Sequence, residues 1–224
     1  MAAPVLPPRL REGDRLTRDE FMRRWEQMQE LKRAELIDGI VHMPSPVSKT
    51  HSRSQSDLTY WANCYKAATP GCEVDCSPTW LMTENSAPQP DLVLSIAPKY
   101  GGRSRVEGEY AAGVPELVVE ISYTTAPRDV GAKLRLYERS GVQEYLTVQP
   151  RQQQVVWREL VDGKYQEMTT DTGGWWRSHV FPGLWLNPAA LWTRDLPGLA
   201  AAVQQGVATQ EHREFVERLE RSKH

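Results

Sequence analysis

Leu117-Val118-Val119-Glu120-Ile121, taken with Pro90-Asp91-Leu92-Val93-Leu94-Ser95-Ile96, decides the fold. Both runs are almost continuously apolar, the pattern of strands buried on both faces of a sheet. Glu120 is the anomaly, because a carboxylate in such a strand is costly unless it is paired or metal-bound. A glutamate pointing out of a half-exposed strand, or paired with a lysine, is the plain alternative. Asp91 opens the other strand, and the intervening sequence is long enough for a loop and a return, so the two carboxylates can meet. Close carboxylates raise each other's pKa unless a cation lies between them. Oxygen donors with positions left open for water suit Mg²⁺ or Mn²⁺. Such an ion can acidify a water and offset charge on a phosphoryl oxygen.

Outward from these strands, Pro127 to Ser140 predicts a helix stopped by Gly141, with Val130, Leu134, Leu136 and Tyr137 as apolar positions. Lys133 stands four residues after Asp129 and four before Tyr137, so the three share a face. Two readings of Lys133 stand level. It reaches back to orient the attacking water and neutralise phosphate, or it forms a surface pair with Asp129 of little energetic weight. Glu144 to Val148 reads as a strand, and Asp162-Gly163 joins Val155–Leu160 to Tyr165–Met168 in a hairpin.

Towards the N-terminus, Thr17-x-x-Glu20 predicts a capped helix running to about Lys32. Asp38-Gly39 predicts a hairpin over residues 34–43, and Ser48 caps a helix to about Lys66. Residues Glu73 to Met82 read as one strand interrupted at Pro78, Lys99 to Arg105 as a loop, and the segment from Leu196 as a polar helix. The whole is an α/β arrangement, a mixed sheet with helices on both faces, carrying an added N-terminal hairpin and C-terminal helix. It divides into a loose arm (1–16), a main domain (17–192) and a helical extension (193–224).

The 224 residues favour one domain, and eight tryptophans with 40% hydrophobic content suffice for its core. A net charge of −2 restricts any nucleic-acid contact to a local patch. Three cysteines argue against a disulfide framework, and Cys72-x-x-x-Cys76 lacks a second ligand pair, so packed free thiols are expected. Neither a secretory leader nor a membrane-length apolar run is present, so the expected location is the cytoplasm, with no membrane contact.

The runs Glu35-Leu36-Ile37-Asp38-Gly39, Pro90-Asp91-Leu92-Val93 and Val119-Glu120-Ile121-Ser122 together resemble the Uma-type restriction endonuclease family of bacteria. So do Asp129-Val130-Gly131-Ala132-Lys133-Leu134-x-x-Tyr137, Gly141-Val142-x-Glu144-Tyr145 and Phe181-Pro182-Gly183-Leu184-Trp185-Leu186. The resemblance spans about Thr17 to Leu191. It implies the PD-(D/E)xK nuclease superfamily, a restriction-endonuclease-like core and metal-dependent phosphodiester hydrolysis. By position it makes Asp91 and Glu120 metal ligands and Lys133 the motif lysine, moved to a helix because Ser122 holds its usual place. Glu35 matches an early acidic position, as a metal ligand or a hairpin residue at the sheet edge. His51 faces the cleft or solvent, and Asp129 orients Lys133. Ser122-Tyr123-Thr124-Thr125 and Val148-Gln149-Pro150 depart from the family's Ser-Pro-Ser-Thr and Val-Asp-Pro, which bears on loop shape and substrate fit.

The leading function is therefore a Mg²⁺- or Mn²⁺-dependent endonuclease acting on DNA. A catalytically inactive nuclease-fold binding or scaffold module is the alternative, and a hydrolase of small phosphoesters a third. Lys99, Arg103 and Arg105 lie in the loop joining the ligand strands, where a nucleic-acid backbone could pass; Arg23, Arg24, Lys32 and Arg33 form a second basic cluster. For any one of them a solvated surface is the plain reading. A homodimer would place two sites on a duplex, with Gly174-Trp175-Trp176 as a candidate surface or a packed loop.

Overall fold

The computed structural model describes residues 8–43, 45–122 and 127–223, without the side chains of 127–130. Helix α1 (Arg18–Trp25) is capped by Thr17, whose hydroxyl accepts from the Glu20 amide. The helix stops well short of Lys32. The apolar stripe continues through buried Met28, but as successive turns, fastened where the Trp25 indole donates to the Leu31 carbonyl at 2.8 Å. Strands β1 (Glu35–Ile37) and β2 (Ile40–His42) form the expected hairpin, with Asp38 and Gly39 at φ 52° and 77°. Residues 8–16 are not loose: Leu10 is buried, and the chain alongside β2 exchanges backbone hydrogen bonds between Asp14 and Val41 and between Leu16 and Gly39. Residues 1–7, Pro44 and residues 123–126 lie outside the description.

Helix α2 (Lys49–Ala68) begins at its Ser48 cap and runs slightly past Lys66. The segment expected as one strand is two, β3 (Cys72–Cys76) and β4 (Trp80–Leu81). Ser77 at φ 49° and Pro78, which has no N–H to donate, turn the chain between different sheets. After β5 (Leu92–Ile96), the region expected as a loop contains a second hairpin, β6 (Ser104–Glu107) and β7 (Tyr110–Gly113). Strand β8 (Leu117–Ile121), α3 (Pro127–Ser140) and β9 (Glu144–Gln149) follow as expected. Strands β10 (Gln154–Val161) and β11 (Lys164–Glu167) turn at Asp162-Gly163, and β12 (Trp176–Arg177) pairs with β13 (Trp185–Leu186).

The chain then forms α4 (Pro188–Thr193), α5 (Leu196–Val207) and α6 (Gln210–Arg221). The C-terminal extension is thus two helices broken at Thr209, not one polar helix. Leu199, Val203, Phe215 and Leu219 are buried in the same core as Leu58, Trp61 and Tyr65 of α2. Helix α5 lies hard against the loop between β12 and β13: a Cβ on Gly206 would meet the Gly183 carbonyl oxygen at 2.1 Å. Further ties to α2 come from the Trp61 indole to the Trp185 carbonyl (2.8 Å) and the Tyr65 hydroxyl to the Pro182 carbonyl (3.0 Å). Arg194 grips buried Asp57 through two hydrogen bonds of 2.7 and 2.9 Å.

These elements place a central six-stranded sheet, ordered β11-β10-β9-β8-β5-β3, between helices. Its pairs are antiparallel except β8 with β9, which α3 connects. Period-two alternation splits the central strands between two cores. Leu92, Leu94, Leu117, Val119 and Ile121 face α2, while Val93 and Val118 join Leu136, Tyr137 and Tyr145 on the α3 side. Asp91 and Glu120 share the parity of Val93 and Val118. Because Leu92 pairs with Val119, one further step in the register sets Asp91 opposite Glu120. A third core holds α1 and the first hairpin against Leu81 and Ala112 of the small sheet β4-β7-β6.

At the opposite end of the sheet, Glu144 is fully buried, and burial pushes its carboxyl up despite four donors that favour the charged form. They are the Trp157 indole (3.1 Å), the Ser178 hydroxyl (2.7 Å) and the amides of His179 (2.7 Å) and Val180 (3.1 Å). Under α6, His212 is buried beside Thr69, 3.0 Å from its hydroxyl, and edge-on to Tyr65. Burial lowers its pKa below the ordinary 6.5, nearby Arg213 adding to the effect. The unfolded chain therefore binds the proton first as pH falls, and stability is lost from about pH 6.5 down to the folded pKa. Urea unfolding between pH 7.5 and 5 should show a steeper loss for wild type than for His212→Gln; equal slopes would refute this.

Candidate active site

An extended chain through β1 alternates Arg33, Glu35 and Ile37 towards one cavity with Ala34 and Leu36 buried in the α1 core. That cavity, of about 430 Å³, is also lined by Asp91, Glu120, Lys133 and His51. Asp91 is nearly buried, with both oxygens engaged. Its Oδ2 accepts from the Ile121 amide at 2.8 Å, and its Oδ1 lies 2.9 Å from His51 Nε2. The backbone of Asp91 is held too, its carbonyl accepting from the Gln55 side chain at 2.7 Å and from the Ser77 amide at 3.1 Å.

Lys133 bridges two strands that belong to different sheets, β1 and β8. Its ammonium lies 2.9 Å from Glu120 Oε1 and 2.7 Å from Glu35 Oε1. The Tyr137 hydroxyl donates to the same Glu120 oxygen at 2.8 Å, and the Gln89 amide donates to Glu35 at 2.6 Å. Lysine and tyrosine sit four apart on α3, so one helical face delivers both donors to one carboxylate. The side chain of Asp129 lies outside the described residues.

One lysine cannot balance three converging carboxylates. Burial, together with the charges of Asp91 and Glu35, outweighs Lys133 and pushes the Glu120 carboxyl up to about 7. Burial works against the Lys133 ammonium, but Glu120 and Glu35 overcome it and hold the group above the usual lysine range. The Tyr137 phenol is driven well above its ordinary value, chiefly by burial, so it remains a donor.

The structure thus gathers Asp91, Glu120, Lys133, Glu35, His51 and Tyr137 at one place. It does not bring Lys99, Arg103 and Arg105 there. Asp91 precedes β5, whereas these residues follow its far end, where Arg103 lies 3.6 Å from Glu116 and Arg105 3.2 Å from Glu107. The loop joins the end of β5 to the start of β8, a strand's length away from the carboxylates at the opposite strand ends. The sequence marks Arg33 only as one of a basic cluster and Gln55 not at all. The alternation of Arg33 with Glu35 was a usable signal for one, whereas Gln55 left none on an otherwise polar helix face.

A mixed sheet with facing carboxylates at one strand end and helices on both sides is a nuclease-type α/β fold. A solved relative has it: the crystal structure of "a putative nuclease belonging to DUF820" from Anabaena variabilis matches with a TM-score of 0.61 at 17% identity, covering 80% of this chain and 98% of that one. The chain belongs to the Uma2 family, described as "Putative restriction endonuclease", which it matches over residues 18–189. No curated protein matches it. Among the described residues, no helix is long and apolar enough to cross a membrane.

Proposed function

We propose that this chain is a Mg²⁺- or Mn²⁺-dependent endonuclease that hydrolyses DNA phosphodiester bonds. The observation that carries the reading is the register placing Asp91 opposite Glu120, with Lys133 beside them on a cavity wall. The donor set fits a hard divalent cation: Asp91 and Glu120, with Glu35 in reach of the same lysine, offer carboxylate oxygens whose mutual repulsion a cation relieves. Asp91 and Glu120 would hold the ion, with Glu35 as a further ligand. When bound, the ion supplies Lewis acidity towards a phosphoryl oxygen and acidifies water.

The chain's own groups do the rest. Ile121 N–H and His51 fix the Asp91 carboxylate, and Tyr137 fixes Glu120. The Lys133 ammonium provides a permanent positive charge to orient a water and to neutralise charge building on the phosphate. A second reading, an inactive nuclease-fold binding module, draws on one observation. Lys133 already occupies an oxygen of each glutamate.

Supercoiled plasmid incubated with the purified protein separates the two. Nicking with Mg²⁺ or Mn²⁺, abolished by EDTA and accompanied by metal-binding heat in titration calorimetry, is the expected result. DNA binding without nicking under any metal supports the binding module. Neither metal binding nor nicking overturns the nuclease proposal.

A further inference from the structure

Arg33 stands out on the cavity wall as a cation without an acidic partner. Lys133 is held by two glutamates, whereas the Arg33 guanidinium donates to a neutral group, the Ser77 hydroxyl at 2.8 Å, and pairs with no carboxylate among the described residues. It is positioned on purpose from both ends. Strand alternation turns it to the same side as Glu35, and Ser77 is itself fixed by Gln55, which donates to its hydroxyl at 2.7 Å. Gln55 and the Ser77 amide also hold the Asp91 backbone, so Arg33 is tethered to the element that sets the first carboxylate.

An acidic cavity repels a phosphodiester unless cations offset the carboxylates. Lys133 is committed to its two glutamates and to the phosphate being cleaved, which leaves Arg33, among the described cations lining the cavity, to take an oxygen of a neighbouring phosphate. Guanidinium geometry suits that task, since its donors can serve Ser77 and a phosphate together.

We infer that Arg33 is a substrate-contacting residue that binds a backbone phosphate beside the cleavage site, so that DNA enters along the β1 side of the cavity and not along the Lys99–Arg105 loop. This rests on the nuclease reading. In this arrangement Arg33 takes no part in holding the ion. It contributes one phosphate contact, whose signature is a sequence-independent, salt-sensitive share of affinity.

The test measures binding of a short fluorescein-labelled duplex across a salt series, with Ca²⁺ present, while plasmid nicking with Mg²⁺ is scored in parallel. Arg33→Gln keeps a side chain able to donate to Ser77 but removes the charge; Arg33→Lys keeps the charge. Arg33→Gln is expected to weaken binding about tenfold and to lower the salt slope by about 1, with Arg33→Lys recovering the slope. Arg105→Gln, at the far end of the strands, should leave both unchanged. Wild-type affinity and slope in Arg33→Gln, or losses in Arg105→Gln as large as in Arg33→Gln, would overturn the assignment while leaving the nuclease reading intact. A wild type that binds with the expected Arg33 dependence but never nicks supports the contact and removes the nuclease reading. A wild type that does not bind DNA overturns the contact as well.

Discussion

Asp91→Asn is expected to lower plasmid cleavage by at least about 10³-fold and to abolish metal-binding heat, because it removes one of two facing carboxylates. The asparagine keeps the size of the side chain and one oxygen able to accept from Ile121 N–H, so the sheet should survive. Lys133→Met should lower cleavage by about 10²–10³-fold for a different reason. It removes the ammonium but frees Glu35 and Glu120, so divalent metal should bind at least as tightly as in wild type. Without metal the same variant leaves two buried carboxylates unpaired, and its melting temperature should rise when Mg²⁺ is added more than the wild type's does. Cleavage rates together with calorimetric titrations decide the matter. Loss of metal binding in Lys133→Met, or its retention in Asp91→Asn, would mean that the roles are wrongly divided.

The largest effect on stability is expected away from the cavity, at Glu144. Replacing it by Ala strands four donors in a fully buried site, at a loss of about 3–5 kcal/mol. For a chain of this length that lowers the melting temperature by roughly 10 °C. Glu144→Gln, which retains one accepting oxygen, should lose less. Glu144 pairs with Leu117, at the other end of β8 from Glu120. Metal binding by the folded fraction should therefore be preserved at low temperature. A Glu144→Ala protein within about 1 kcal/mol of wild type by urea unfolding would show that the donors find other partners.

Legibility from sequence followed the strength of local physics. Helix α3 was readable to its last residue because Gly141, at φ 83°, marks the stop and Leu136 and Tyr137 mark the buried face. The central strands were readable because a charge inside an apolar run is itself a signal. Helix α1 was overrun because Met28 keeps the apolar spacing although the backbone has left the helix. The hairpin of β6 and β7 was missed since Ser104-Arg105-Val106-Glu107 is mostly polar and its Val106 is exposed; the pairing is local, but what ties it into a sheet is β4, distant in sequence, beside β7. At the site, the carboxylates and the lysine announced themselves by type and spacing. The lysine's bridge to Glu35 did not, because it joins α3 to a strand of the separate N-terminal hairpin, which only tertiary structure brings beside it.

The way α2 is fastened bears on when the cavity can exist during synthesis. This helix carries His51 and Gln55, which fix Asp91, yet beyond the sheet it lies on its anchors are Pro182, Trp185, Arg194 and the face of α5. A ribosome-bound chain that has exposed every acidic group of the cavity still lacks the segment that seats the helix. Assembly is therefore expected to be late and all at once, with the nascent protein inert until residues beyond about 200 have emerged.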